Sequence, residues 1–251
     1  MCTSIILFRK AATWPIIIGS NRDENLNRKS SFPGKHWKKN YPNVIGGKDL
    51  KKKGSWIGIN NNGLVALIHN RISNKKKSNF RFSRGKIVLE VLNSLNINKA
   101  LKFISTINPK DYDYFNLFIA NYKNCYFIKH NIITRNLQIH KIKEGLTIMT
   151  DKDINDKRDK KIIYYHKLFS SLKIPNPSKN NWDSWKKNLS YNNEEKLPNN
   201  QRICSINKKL NYGTRSSCLI ALPNLKNKKK IIFKSTKSVP KIDNYIDVNM
   251  K

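Results

Sequence analysis

The chain has 251 residues, with 50 lysines and arginines against 16 aspartates and glutamates, so its formal net charge is +34. This length fits one large domain, and we predict a single domain over residues 1–251. Recurring apolar runs exclude a disordered polycation, and no run approaches the roughly 18 apolar residues of a membrane span.

Residues 3–9 and 15–20 are β-branched apolar runs and predict a hairpin that opens the chain. A polar loop dotted with aromatic residues follows. WIGINNNGLVALIHN predicts a second hairpin, with Asn61-Asn62-Gly63 as its turn. We expect the two hairpins to share one antiparallel sheet.

The apolar period changes to three and four residues between Arg84 and Ile107, which predicts two helices. Another helix is predicted over 157–172, where Ile162, Tyr165, Phe169 and Leu172 form one stripe. The remaining predicted strands cover 115–121, 124–129, 132–140, 145–150, 215–222 and 229–235. Residues 173–211 are predicted as a long loop or weak helices that form a lid or cover the sheet. This order of elements predicts an α+β fold with two sheets between helical layers.

Cys2 directly follows the initiator methionine, and a small second residue generally permits removal of that methionine. Cys2 would then carry a thiol and a free α-amine on one residue. The α-amine has an ordinary pKa of about 7.7–8.0, so it can accept the thiol proton without a histidine. The position of Cys2 therefore predicts an N-terminal nucleophile.

The polar cluster Asn21-Arg22-Asp23-Glu24 follows the second predicted strand, so hairpin geometry brings it to the same end as Cys2. Asp23 is the candidate that holds the terminal amine or the thiol. Arg22 is the candidate that binds a substrate carboxylate or fixes Asp23. The alternative is that the cluster is a solvated turn.

Four segments together, MC at the start, GSNRDE at 19–24, GSWIGINNNGLVALIHN and YGTRSSCLIAL at 212–222, resemble the NRDE family, the proteins related to transport and Golgi organisation protein 2. The order and spacing of these segments are also similar to those in cholylglycine hydrolases and penicillin V acylases. The resemblance implies a four-layer αββα fold and an N-terminal-nucleophile amidase.

The resemblance also implies roles for single residues. Cys2 matches the nucleophile, Asp23 the aspartate four residues after Gly19, and Asn70 a side-chain donor to the oxyanion. Arg215 matches an arginine that lines the site close to the nucleophile.

The chain departs from the amidase pattern at two positions. Ser20 stands where the amidases have an arginine, and the arginine is found at Arg22. Asp151, in Thr150-Asp151, stands where they have a second asparagine, and an ionised carboxylate there would repel an oxyanion. We count Asn21, Arg22 and Asp151 as substrate-binding residues.

No metal or cofactor is predicted. The segment from Asp151 resembles the start of a calcium-binding EF-hand loop, but Asp156 and Ile162 stand where glycine and glutamate are required. Asp153 or Asn155 is predicted instead to cap the following helix. His69 is predicted to be structural.

The charge suggests a nucleic acid or an anionic membrane surface as partner. Lysine far outnumbers arginine, however, and the lysine triplets Lys51–Lys53, Lys75–Lys77 and Lys228–Lys230 fall in predicted loops. Solvated loop charge is the better interpretation, so no specific nucleic acid is predicted. The four cysteines form no CxxC pair, which fits a reducing cytoplasm.

These features predict a cytoplasmic hydrolase that cleaves a non-peptide C–N amide bond of a small acylated substrate. The alternative is a non-catalytic haem or lipid trafficking protein or chaperone that uses the same pocket. A protein that binds nucleic acid through charge is the third hypothesis.

Overall fold

The computed structural model describes residues 1–71, 80–131, 136–190, 197–224 and 229–250. These residues form two compact units. The first unit contains Met1–Arg28 and Glu144–Val248, and the second contains Lys29–Lys143 with the C-terminal residues from Asn249.

The strands are β1 (Thr3–Phe8), β2 (Ile16–Asn25), β3 (Ser30–Gly34), β4 (Val44–Asp49), β5 (Ser55–Asn60), β6 (Val65–Asn70), β7 (Phe115–Ala120), β8 (Cys125–His130), β9 (Gln138–Ile142), β10 (Gly145–Met149), β11 (Ile206–Asn207), β12 (Tyr212–Leu222), β13 (Ile232–Ser235) and β14 (Ile246–Asp247). The helices are α1 (Arg84–Leu92), α2 (Ile97–Thr106), α3 (Lys160–Ser171) and α4 (Asp183–Leu189). Among the described residues, no helix is long and apolar enough to cross a membrane.

The first unit is built on an antiparallel sheet in the order β10-β1-β2-β12-β13-β14, with β11 paired to β12. Alternate residues of β1 and β2, among them Ile5 and Ile17, pack against buried aromatic side chains of α3 and α4. Gly19 allows α4 to approach β2 closely, because a Cβ there would lie 2.6 Å from Leu189 Cδ1.

The second unit is built on an antiparallel sheet in the order β3-β4-β5-β6-β7-β8-β9. Its core contains the apolar faces of α1 and α2 and residues from β4, β6, β7 and β8. In α1, Ile87, Val88, Val91 and Leu92 are all fully buried. The predicted stripe at spacings of three and four therefore faces the sheet.

Both predicted hairpins form, as β1–β2 and β5–β6, and the two helices expected between Arg84 and Ile107 are α1 and α2. The expectation that the hairpins share a sheet is wrong, because β1–β2 lies in the first unit and β5–β6 in the second. The predicted polar loop contains β3 and β4, whose glycines and proline weaken the strand pattern.

Residues 173–211 contain the helix α4, whose Trp185 is buried beside Trp182. The described parts of this segment, 173–190 and 197–211, pack on the helix-facing side of the first sheet, and a function of the segment as a lid stays a prediction. The lysine triplet at 75–77, part of the strand predicted at 132–140, and Lys228 lie outside the described residues.

Candidate active site in the first unit

The site is centred on the N-terminal end of β1, and Cys2 immediately precedes this strand. In the β1–β2 register Thr3 faces Asn21 and Ser4 faces Ser20. β2 does not stop at Ser20, as predicted, but continues to Asn25 with β12 on its other side. Arg22 and Asp23 are therefore buried in a strand with neighbours on both edges, which excludes the solvated turn.

Asp23 holds the terminal amine of the chain. Its Oδ2 lies 2.8 Å from the Met1 nitrogen, and its carboxylate is 0% exposed. Its Oδ1 accepts a hydrogen bond of 2.7 Å from Thr214 Oγ1, on the adjacent strand β12. A buried carboxylate needs such partners, because an uncompensated buried charge is costly.

The Cys2 thiol lies against the main chain of Asp23. The Asp23 N–H donates to Cys2 Sγ at 3.2 Å, and Sγ donates to the Asp23 carbonyl oxygen at 3.4 Å. Burial and the Asp23 carboxylate raise the pKa of the thiol, while the terminal ammonium, the Asp23 N–H and Arg22 lower it in part. The thiol is consequently protonated at neutral pH and needs a base before it can attack.

Arg22 and Asn21 have partners within the protein. Arg22 Nη2 lies 3.6 Å from Glu24 Oε2, and Arg28 Nε lies 3.6 Å from the same oxygen. Asn21 Nδ2 donates to the carbonyl oxygens of Leu189 and Ile203, at 2.8 and 3.1 Å. Asn21 therefore ties the chain after α4 to β2, and its contact with substrate stays a prediction.

Arg215 is the extra residue of a β-bulge in β12. Thr214 pairs with Asp23 and Ser216 pairs with Arg22, so Arg215 falls between the two pairs. Such bulges redirect a side chain and are common beside active sites. Arg215 is half-buried, and its Nε has no hydrogen-bond partner among the described residues.

Asp151 follows β10 by two residues and is buried. Burial raises its pKa, whereas its own N–H, the terminal ammonium and Lys161 lower it in part. Oδ2 of Asp151 has no hydrogen-bond partner within the described ranges.

Lys161 is a residue of this site that the sequence analysis missed. It is the second residue of α3 and is buried, and its Nζ donates to the carbonyl oxygens of Met1 and Arg202, both at 3.3 Å. The helical period could have identified it. Lys161 lies four residues before Tyr165, and residues at this spacing share one face of a helix.

Asn70 lies in the second unit, at the end of β6, where it is exposed and pairs in register with Phe115. Its role as oxyanion donor stays a prediction. His69 beside it is buried.

The segment from Asp151 to Asp159 has another geometry than predicted. Asp159 caps α3 by accepting from Ile162 N, so neither Asp153 nor Asn155 is the cap. Asn155 adopts a left-handed conformation and bonds to the main chain of Ile148 and Leu146 instead. In the described part of the chain, no cluster of three or more His, Cys, Asp or Glu side chains is suited to a metal ion.

A model of the family described as Transport and Golgi organisation 2 matches residues 1–234. No curated protein matches significantly.

Three solved structures share the fold. An N-acylethanolamine-hydrolyzing acid amidase ortholog from Caenorhabditis elegans has a TM-score of 0.60 at 17% identity, covering 87% of this chain and 92% of its own. Penicillin V acylase from Agrobacterium tumefaciens has a TM-score of 0.52 at 12% identity, covering 95% of this chain and 84% of its own. A conjugated bile acid hydrolase from Clostridium perfringens has a TM-score of 0.52 at 11% identity, covering 100% of this chain and 98% of its own. The prediction of an α+β N-terminal-nucleophile hydrolase fold is confirmed.

Proposed function

This chain belongs to the Transport and Golgi organisation 2 family, known also as the NRDE family, and we propose that it hydrolyses an amide bond of a small acylated substrate. Its fold is that of N-terminal-nucleophile hydrolases. The observation that carries the proposal is the contact of the Cys2 thiol and the terminal amine with one buried residue, Asp23. A thiol, an amine and a carboxylate in contact are the parts that this chemistry requires.

Removal of Met1 is the activating step of the proposal. It converts the nitrogen of Cys2 from an amide into an amine, which can act as a base. The buried Asp23 carboxylate, which holds the Met1 amine at 2.8 Å, is the anchor available to this new terminal amine. Because the thiol pKa is raised, the amine has a proton to remove.

The reaction then follows a two-step course. The Cys2 amine takes the thiol proton, and Sγ attacks the carbonyl carbon of the amide, whose π electrons move to the oxygen. The oxyanion collapses to a thioester as the C–N bond breaks, and the leaving nitrogen receives the proton from the amine. Water hydrolyses the thioester by the same route and restores the thiol.

Arg215 is the residue we assign to a carboxylate of the substrate. Arg22 already lies near Glu24, whereas Arg215 is redirected by the bulge and its Nε has no hydrogen-bond partner in the described part of the chain. The resemblance adds Asn70 as an amide donor to the oxyanion. The named substrates of the structural neighbours, N-acylethanolamines, penicillin V and conjugated bile acids, make an apolar acyl group on a polar head the class to test.

The experiment measures hydrolysis of N-dodecanoylglycine and N-dodecanoylethanolamine by protein whose loss of Met1 is verified by intact mass. We expect turnover by the wild type, no turnover by Cys2→Ser, and a loss of about 10²–10³-fold in Asn70→Ala. Cys125→Ser, a change of the same chemistry in the second unit, is the matched control and keeps full activity.

Two outcomes would sink the proposal. One is a protein that retains Met1 in its native cell, since the base would then be missing. The other is a wild type that hydrolyses neither substrate and is not acylated at Cys2, yet binds haem or lipid as well as Cys2→Ser does. That result favours the alternative function, a non-catalytic haem or lipid trafficking protein or chaperone.

A further inference from the structure

Lys161 is a buried cation beside the nucleophile that the proposed reaction does not use. The described residues contain a second buried lysine, Lys234, whose Nζ lies 2.7 Å from an Asp247 carboxylate oxygen. Lys161 differs, because its hydrogen bonds go to two main-chain carbonyl oxygens and no carboxylate of the described residues lies within ion-pair distance. A buried ammonium held by neutral acceptors alone is an expensive arrangement.

One of the two acceptors is temporary under the proposed function. Lys161 Nζ lies 3.3 Å from the carbonyl oxygen of Met1, and that carbonyl carbon is bonded to the nitrogen of Cys2. Removal of Met1 deletes this acceptor and leaves the Arg202 carbonyl. An ammonium has three N–H donors, so at least one becomes available beside Cys2.

The charges around Lys161 favour a cation there. Burial lowers the pKa of its ammonium, while the negative charges of Asp23 and Asp151 counter part of that effect. Asp151 is also the position where the resemblance implies an amide donor, and its carboxylate would oppose an oxyanion. A cation close to both carboxylates offsets that repulsion.

We propose that Lys161 is a catalytic residue whose Nζ donates a hydrogen bond to the carbonyl oxygen of the acylated substrate, in the place that the Met1 carbonyl oxygen leaves. The proposal rests on the proposed function. It assigns to Lys161 the hydrogen-bond donation that the resemblance implies for an asparagine amide at position 151. Lys161 donates this hydrogen bond and transfers no proton to the substrate. Its hydrogen bond strengthens as the π electrons move to the oxygen and weakens when the oxyanion collapses, which is how such donors accelerate acyl transfer.

The test compares two reactions of the same thiol in protein that lacks Met1. Acylation by p-nitrophenyl decanoate passes through an oxyanion and is followed as p-nitrophenolate release in a single turnover. Alkylation by iodoacetamide has no oxyanion and reports thiol reactivity alone. The variants are Lys161→Met, Lys161→Arg and, as matched control, Lys160→Met, which changes the exposed neighbour on the same helix.

We expect Lys161→Met to slow acylation of Cys2 by about 10²-fold and to slow alkylation far less. Lys161→Arg, which keeps the charge and the donors, recovers part of the rate, and Lys160→Met behaves like the wild type. Thermal unfolding of each variant checks that the fold is kept. If Lys161→Met is unfolded, the two rates of Lys161→Arg are compared with those of the wild type instead.

Three results overturn the inference. Acylation of Lys161→Met at the wild-type rate shows that Lys161 does not touch the oxyanion. Equal losses of acylation and alkylation show that it acts on the thiol or on the fold. A wild type that iodoacetamide labels at Cys2 but the decanoate ester does not acylate contradicts the proposed function, and this inference falls with it.

Discussion

At the scale of single residues, the site depends on two buried carboxylates in unlike surroundings. Asp23 is compensated by the terminal amine at 2.8 Å and by the Thr214 hydroxyl at 2.7 Å. Asp151 is also buried, but its Oδ2 has no partner among the described residues. The first carboxylate thus has two polar partners, whereas burial opposes ionisation of the second.

Asp151→Asn is therefore expected to stabilise the protein at neutral pH. The pKa of Asp151 is raised on folding, so the folded state binds more protons than the unfolded state above the ordinary pKa of about 3.9. Wild-type stability is lowered as pH rises through that window, and the asparagine variant escapes the loss. Urea unfolding at about pH 7 should show a higher free energy of unfolding for the variant than for the wild type, and this gain should vanish below about pH 4.

Asp156→Asn is the control, because folding lowers the pKa of Asp156 whereas it raises that of Asp151. The hydrogen bonds from Arg158 lower the pKa of Asp156, so its contribution to stability is present above the ordinary carboxyl pKa and is lost on acidification. Its asparagine variant should be no more stable than the wild type at neutral pH. A gain of equal size in both variants would contradict the burial argument for Asp151.

At the scale of elements, the sequence predicted what a hydrophobic period can encode. α1, α2 and α3 and the strands of both hairpins carry clear periods, and the structure contains them. β3 and β4 were missed, because Pro33, Gly46 and Gly47 interrupt the alternation. The last five residues of β2 were missed because they are polar, and their pairing depends on β12, far away in the chain.

The site was predictable to the extent that its chemistry is local. Cys2, Asp23 and Asp151 followed from chemical type, position and resemblance. Lys161 was not found, because a lysine at the start of a helix normally reaches solvent. The bulge at Arg215 depends on the register between two strands, which no local pattern specifies.

Close contact between two glycines fixes the second sheet beneath α1. Gly46 of β4 faces Gly58 of β5, and a Cβ on Gly58 would lie 2.7 Å from the Ile45 carbonyl oxygen and 2.9 Å from Leu92 Cδ1. We expect Gly58→Ala to lower the free energy of unfolding by about 1–3 kcal/mol, the usual cost of overpacking. Chemical denaturation measures it.

Gly34→Ala is the matched control in β3. A Cβ there meets nothing closer than His36 Nε2 at 3.5 Å, which is ordinary contact. Its unfolding free energy should stay within about 0.5 kcal/mol of the wild type. Equal stability of Gly58→Ala and the wild type would show that β4, β5 and α1 are not packed as closely as described.

At the scale of the whole molecule, the formal charge of +34 must be distinguished from a binding site. The described triplet Lys51–Lys53 lies in an exposed turn between β4 and β5. Asp23 and Lys161 are buried in the first unit, and Cys2 is half-buried beside Asp23. The charge thus belongs to the surface, and the proposed chemistry does not depend on it.

This separation predicts how the protein binds nucleic acid. Fluorescence anisotropy with a short labelled duplex should give a Kd of about 10⁻⁴–10⁻⁶ M at physiological salt, with the same value for a scrambled sequence. Because such binding comes from released counterions, it should weaken steeply between about 50 and 200 mM salt. Poly-glutamate, which offers charge without bases, should compete as well as DNA of equal charge. Nanomolar binding that distinguishes sequences, or that poly-glutamate fails to displace, would mean that the surface charge marks a true nucleic-acid site.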